Sequence, residues 1–172
     1  MADAFASRVE RVLAGFADAN RRLVARLESA SDAEAVTAPA DGQWSPAQIG
    51  SHVAAFNTLL AGLVSGAMPG ARPAPSDFVE RPWADIQATL MGAVAAPPAL
   101  HPPVDTSRAV SLAALGQAAP EVISAFSGLT GERAVLTITH PRVGTLTLLQ
   151  VGDWMIAHTI RHNAQMKRAL GR

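Results

Sequence analysis

Residues 147–165 read TLLQVGDWMIAHTIRHNAQ, and this stretch predicts a long amphipathic helix with two histidines on its inner face. Thr147 suits the N-cap position, and Gln150 stands three residues later, where a capping box places Glu or Gln. At about 100° per residue, one face of the helix collects Val151, Met155, His158, His162, Gln165 and Ala169. His158 and His162 lie one turn apart on that face, so both imidazoles can reach one metal ion.

A second helix start lies in residues 44–52, which read WSPAQIGSH. Ser45 suits the N-cap, Pro46 suits the first helical position, and Gln48 completes a capping box. The helix phase fixed in this way places His52 in line with four apolar side chains, Ile49, Phe56, Leu59 and Leu63. We therefore expect His52 to be buried.

Three buried histidines on two helices make a metal site the leading hypothesis. A buried imidazole group without a partner costs about 1–3 kcal/mol, and one divalent ion satisfies His52, His158 and His162 together. Neutral imidazoles favour Zn²⁺ or Ni²⁺, with Fe²⁺, Co²⁺ or Mn²⁺ as alternatives, over Mg²⁺ or Ca²⁺. Three protein ligands leave room for a water or a substrate atom. Gln165, nearly one turn beyond His162, is placed to hydrogen-bond a ligand or water there, and a packing role facing solvent is the alternative.

Two further long helices complete the pattern. Apolar residues recur every three or four positions over about 3–29, and again from Ser107 or Arg108 to Ser127. Pro120 within the second of these predicts a kink or a break. The run VLTIT at 135–139 favours a short extended segment. Together these elements predict an all-α four-helix bundle that forms a single domain over residues 1–172.

A proline-rich connection, residues 66–103, joins the second and third long helices. It holds eight of the twelve prolines, so a long continuous helix is excluded there. We expect a short helix at about 83–94, and we expect the connection to cover part of one end of the bundle. His101 lies among its prolines, and His140 precedes Pro141 and so belongs to a turn. Both of these histidines are expected at the surface.

Composition excludes several classes of function. The 172 residues carry fourteen basic and fourteen acidic side chains, which removes the electrostatic reason to expect nucleic acid or an anionic membrane as a partner. Complementing the dipole of the last helix explains the basic cluster Arg161, Lys167, Arg168 and Arg172. The chain has no cysteine, so any thiol chemistry needs an external thiol. No secretory signal or membrane span is recognisable, so we expect a cytoplasmic location.

Three motifs occur in an order and spacing that resemble one known family. They are W-S-P-x-Q-I-x-x-H at 44–52, H-P-R-x-G-x-L-T at 140–147 and H-T-I-R-H-N-A-Q at 158–165. This combination resembles the DinB-like (YfiT-like) superfamily of four-helix-bundle metalloenzymes. The resemblance implies a bundle with an unusual connection order, often a homodimer, in which three histidines hold one divalent ion. The histidines that match are His52, His158 and His162.

The resemblance also implies a class of chemistry. Characterised members are metal-dependent enzymes that use low-molecular-weight thiols such as mycothiol or bacillithiol, including S-transferases and a maleylpyruvate isomerase. We therefore expect a metal-dependent S-transferase, or a related transferase or hydrolase, that acts on a small molecule and for which a low-molecular-weight thiol is a candidate cosubstrate. A non-catalytic metal-binding or stress-response module and a plain helical interaction domain are the alternatives.

Overall fold

The computed structural model describes residues 2–91 and 96–172 of the chain. The long helices of this part are α1 (Ala2–Glu28), α3 (Pro46–Ser65), α5 (Arg108–Ser127) and α7 (Leu148–Ala169). The connecting elements are α2 (Asp32–Val36), α4 (Trp83–Met91), a 3₁₀ turn (Pro98–Leu100), α6 (Gly131–Ala134) and the strands β1 (Thr137–His140) and β2 (Gly144–Thr147). The predicted four-helix bundle is confirmed, and a small β-hairpin is added to it.

The first two long helices occupy opposite corners of the bundle. Helix α1 packs mainly against α7 and α5, and α3 also packs mainly against α5 and α7. The chain between residues 29 and 45, which includes α2, therefore crosses from one corner to the opposite one. This order places α3 directly beside α7, so the helix that carries His52 contacts the helix that carries His158 and His162.

Capping contacts fix where α3 and α7 begin. The Ser45 hydroxyl accepts a hydrogen bond from the Gln48 backbone N–H at 3.3 Å, and the Gln48 side chain accepts one from the Ser45 N–H. Thr147 and Gln150 make the same pair of contacts at the start of α7. Both predicted N-caps are confirmed. The helix phase that follows from them buries all three candidate metal ligands.

Helix α5 begins and ends where the sequence predicts, but it is not broken at Pro120. The proline removes the hydrogen bond to the carbonyl of Gly116, one turn earlier. Both residues are exposed, so water can satisfy that carbonyl. Of the two alternatives predicted for Pro120, a kink or a break, the break is therefore wrong. On the opposite side, Leu115 and Val122 are buried in the core.

The connection between α3 and α5 lies beside the histidines of the bundle. Helix α4 corresponds to the short helix predicted at 83–94, and residues 92–94 of that prediction lie outside the described residues. The connection returns to the bundle at the 3₁₀ turn, where the Leu100 carbonyl accepts a hydrogen bond from His52 Nδ1 at 2.8 Å. It therefore covers the part of the bundle that holds the histidines, and a position over one end of the bundle stays a prediction.

A two-stranded antiparallel hairpin leads into α7. Its register runs from Thr137 opposite Thr147 to His140 opposite Gly144. The extended run predicted at 135–139 corresponds to β1. His140 is the last residue of β1 rather than part of a turn, and the turn is formed by the next three residues. Gly144 has a φ of +82°, a conformation that other residues rarely adopt, so it fixes the return of the chain.

Two helices of the described chain, α3 and α5, are long and apolar enough to span a membrane by length and composition. In the most apolar window of α3, 61% of the residues are buried inside the bundle, against 33% in α5. Core helices of globular proteins pass the same test of length and composition. The apolar character of α3 is accounted for by its central position, where Ile49, Val53 and Leu60 are buried.

Candidate metal centre

Three histidine rings meet between α3 and α7. His52, His158 and His162 are each at most 6% exposed, and one ring nitrogen from each lies within 4.8 Å of the others. His52 Nε2 and His158 Nε2 are 3.2 Å apart. In a tetrahedral site with Zn–N bonds of about 2.0–2.1 Å, two ligand nitrogens are about 3.3 Å apart. The three donor atoms, and the spacing of the His52 and His158 nitrogens, therefore fit one divalent ion.

Hydrogen bonds set the orientation of two of the rings. His52 Nδ1 donates to the Leu100 carbonyl, and His162 Nδ1 donates to Gln165 Oε1, both at 2.8 Å. Each bond puts the ring proton on Nδ1 and leaves a lone pair on Nε2, which is the arrangement found in histidines that ligate metals. His158 Nδ1 is buried and has no hydrogen-bond partner among the residues that the structure describes.

Burial keeps the three imidazoles neutral. Desolvation lowers the pKa of His162 to about 3, and it lowers the pKa of His158 well below 6.5. Desolvation also lowers the pKa of His52, although the hydrogen bond to Leu100 opposes this. The neutral ring is the form that binds metal. Because two imine lone pairs repel at 3.2 Å, the contact between His52 and His158 requires a proton or a metal ion between them.

The histidines face a cavity of about 1040 Å³. Phe56 stacks on His158 with ring centroids 3.7 Å apart, and Trp154 meets Phe56 edge-on at 5.2 Å. On the other side, the Trp44 ring lies 4.7 Å from the His52 ring. The proline-rich connection contributes Thr89, Leu90, Ala96, Pro97, Leu100 and His101 to the wall. No Asp or Glu is among the described residues that line this cavity, so imidazole nitrogens are its protein ligands for an ion.

A family comparison agrees with this geometry. The family model described as the DinB superfamily matches residues 15–166, which include parts of all four long helices and all three histidines. The chain belongs to the DinB superfamily. The resemblance drawn from the three sequence motifs is thereby confirmed. No curated protein matches the sequence.

Among solved structures, the DinB fold of this chain is similar to YfiT from Bacillus subtilis. The TM-score is 0.59 at 16% sequence identity, and the alignment covers 95% of this chain and 87% of YfiT. YfiT was described as a probable metal-dependent hydrolase with an unusual four-helix bundle topology. At this level of identity the likeness establishes the fold.

The two histidines that were expected at the surface contribute to the cavity wall. His101 is exposed, and its Nε2 lies 3.0 Å from the Ala96 carbonyl. His140 is half-buried, and its Nδ1 accepts hydrogen bonds from the backbone N–H groups of Arg142 and Val143, both at 3.3 Å. The surface assignment of His140 is therefore wrong. The turn after β1 brings its ring to 5.0 Å from that of Trp154, a proximity that the sequence spacing does not reveal.

Gln165 makes a contact that the sequence analysis did not predict. Its Oε1 accepts the His162 Nδ1 proton, so it orients a candidate ligand instead of facing solvent. Its predicted contact with a ligand or water stays a prediction. Arg161 was also misjudged, because it lines the cavity and its Nη1 donates to His162 Nε2 at 3.3 Å. Its spacing of seven residues from Trp154, two helical turns, is the sequence signal that places both on one face.

Proposed function

We propose that this DinB superfamily protein is a metal-dependent hydrolase of a small molecule. The observation that carries the proposal is the convergence of His52, His158 and His162 at the wall of a cavity large enough for a substrate. Their neutral state and the 3.2 Å spacing of two Nε2 atoms fit Zn²⁺ or Ni²⁺, with Fe²⁺, Co²⁺ or Mn²⁺ as further candidates. The description of YfiT supports the same class of reaction.

The chain's own residues have distinct parts in this proposal. His52, His158 and His162 would hold a divalent ion, which would supply a Lewis acid that polarises a carbonyl and makes water a better nucleophile near neutral pH. Leu100 and Gln165 hold the rings of His52 and His162 so that their Nε2 lone pairs point at a common centre. Phe56 and Trp154 form an apolar wall beside that centre.

A thiol-dependent transfer reaction is the second candidate. The cavity of about 1040 Å³ is slightly larger than the range of roughly 300–1,000 Å³ that is typical of small-molecule sites. It therefore has room for a small electrophile together with a low-molecular-weight thiol. The chain itself has no cysteine to supply the thiol. A homodimer and a cytoplasmic location are further parts of our proposal.

Metal loading followed by an activity screen tests this function. Purified protein is stripped with chelator and loaded separately with Zn²⁺, Ni²⁺, Co²⁺, Mn²⁺ or Fe²⁺. Bound metal is quantified by elemental analysis, and hydrolysis of 4-nitrophenyl esters is followed with and without added thiol. We expect about one ion per chain and metal-dependent turnover. His52→Ala should lose the ion, whereas His101→Ala, which removes a histidine of the same cavity outside the cluster, should retain it.

The outcomes separate the candidate functions. Turnover of 1-chloro-2,4-dinitrobenzene only when thiol is present would select the transferase. One bound ion that raises the melting temperature, without turnover of any substrate, would select a non-catalytic metal-binding module. Failure to bind any of these ions would leave a helical interaction domain, and it would contradict the metal site itself.

A further inference from the structure

We propose that the cavity binds the oxyanion group of an amphiphilic substrate, a carboxylate or a phosphate, at Arg161 and Arg168. The apolar part of the same substrate then lies against Phe56 and Trp154. The proposal gives the substrate class of the proposed hydrolase. Only the statement that a bond of this substrate is hydrolysed rests on the proposed function. The binding claim itself depends on the arginines and the cavity.

The side chains that line the cavity from α7 are ordered along the helix. From the N-terminal side they are Trp154, His158, Arg161, His162, Gln165, Arg168 and Ala169, and Trp154 and Arg168 are fourteen residues apart. Fourteen residues at about 1.5 Å rise per residue span about 21 Å, so the cavity wall is longer than the histidine cluster. The aromatic end is formed by Trp154 and Phe56, and the cationic side chains lie at the histidines and beyond them. A ligand that lies along α7 therefore meets apolar, metal-ligating and cationic groups in turn.

Arg161 and Arg168 line the cavity at the histidines and beyond them, and no Asp or Glu is among the described residues of the cavity lining. In the described part of the chain, Arg161 and Arg168 make no salt bridge, whereas Arg8, Arg108 and Arg172 are each paired with a carboxylate. Arg161 is only partly exposed, and its Nη1 donates to the imine nitrogen of His162. A partly buried guanidinium without an anion carries a desolvation cost that a ligand oxyanion would remove.

A divalent ion at the three histidines would increase the need for an anion in the cavity. Three neutral imidazoles do not offset the charge of a divalent ion, and Arg161 and Arg168 add one positive charge each. Arg161 Nη1 donates at 3.3 Å to the His162 Nε2 lone pair that an ion would bind, so an ion would have to displace this hydrogen bond and would repel the guanidinium unless an anion lies between or beside them.

A helix-dipole role does not account for both arginines. Lys167 and Arg168 lie in the last turn of α7, where cations complement the dipole. Arg161 lies two turns earlier, outside the range of that effect. Its position on the cavity face is explained by contact with a ligand.

Ligand titration tests the proposal without relying on turnover. The probes are 3-phenylpropanoate, (2-phenylethyl)phosphonate and the neutral 3-phenylpropanamide, which share one apolar group. Trp44 and Trp154 line the cavity, so binding can be followed by tryptophan fluorescence and checked by calorimetry. Each titration is made on chelator-treated and on Zn²⁺-loaded protein. We expect one or both anions to bind at least about tenfold more tightly than the amide in both forms, with the tighter anion identifying the head group.

Variants assign the effect to particular side chains. Arg161→Gln should lose about tenfold in affinity for the preferred anion and leave the amide unchanged, and Arg168→Gln should show a smaller loss. Lys167→Gln removes a neighbouring charge of the same helix that does not line the cavity, and it should bind like the wild type. Circular dichroism checks that each variant is folded.

Two results would overturn the proposal. The first is equal affinity for the anions and the amide. The second is an anion preference that appears only with Zn²⁺ and survives in Arg161→Gln, because the oxyanion then binds the metal alone. Failure of the hydrolase assay combined with the expected titrations would contradict the proposed function and leave the oxyanion site standing.

Discussion

Gln165 is the side chain whose role the structure changes most, and that role is testable. It accepts the Nδ1 proton of His162 at 2.8 Å and so keeps the Nε2 lone pair directed at the site. Replacing it with leucine leaves that proton without an acceptor in a buried position. We expect Gln165→Leu to weaken Zn²⁺ binding by roughly 10–100-fold, measured by competition with a chromophoric chelator.

Two comparisons decide whether this effect comes from the hydrogen bond. Gln165→Glu keeps an acceptor at the same place and should retain the Zn²⁺ affinity of the wild type. Gln43→Leu removes another glutamine of the cavity wall, one with no contact to the three histidines, and should have no effect. Unchanged Zn²⁺ affinity in Gln165→Leu would show that His162 is oriented by packing alone.

The identity of the clustered side chains could be predicted from sequence, but their partners could not. Capping residues fix the phase of α3 and α7, and the phase alone places His52, His158 and His162 inside. The acceptor for His52 is the Leu100 carbonyl, which is 48 positions away across a proline-rich connection. Local periodicity carries no information about such a contact. For the same reason, the place of Arg161 in the cavity emerges only once the connection has been positioned.

Close helix packing in the bundle depends on glycine at a position where three helices meet. An added Cβ at Gly152 of α7 would overlap Val12 Cγ1 of α1 and approach the Phe126 ring of α5 to 3.0 Å. Gly116 of α5 has open space around the same position. We expect Gly152→Ala to lower the free energy of unfolding by roughly 1–3 kcal/mol, although alanine is the better helix former.

Gly116→Ala is the matched control for this substitution. It makes the same chemical change inside another long helix of the bundle and should raise the free energy of unfolding by about 0.5–1 kcal/mol. Urea denaturation of both variants gives the comparison. Stabilisation by both substitutions would mean that α1 and α5 move apart from α7 at little cost.

Elements with strong end signals were predictable, and those that depend on pairing or on weak signals were not. Ser45 and Thr147 were predicted as N-caps, and they are the residues that precede α3 and α7 in the structure. Helix α2 was missed although Ser31 and Glu34 form a capping box, because only five residues follow the cap. Strand β2 was missed because it is stabilised by pairing with β1 and has no periodicity of its own to reveal it.

Folding of the whole molecule buries three histidines in a state that binds protons less readily than the unfolded chain does. The pKa of each clustered histidine is lowered in the fold, mainly by desolvation, to about 3 for His162 and well below 6.5 for His158. The unfolded chain binds these protons near pH 6.5. As the pH falls below about 6.5, protons therefore bind to the unfolded state first, and the free energy of unfolding decreases until the folded pKa is reached.

Because the free energy of unfolding decreases as the pH falls, we predict that the chelator-treated protein is sensitive to acid. Each histidine that stays neutral in the fold contributes a slope of up to about 1.4 kcal/mol per pH unit below pH 6.5. We expect stability measured by urea denaturation to fall from pH 7 to pH 5, and His162→Asn to fall less steeply by about one such slope. If the wild type and His162→Asn lost stability in parallel over this range, His162 would take up its proton equally in the folded and unfolded states, and the fold would not keep this imidazole neutral for an ion.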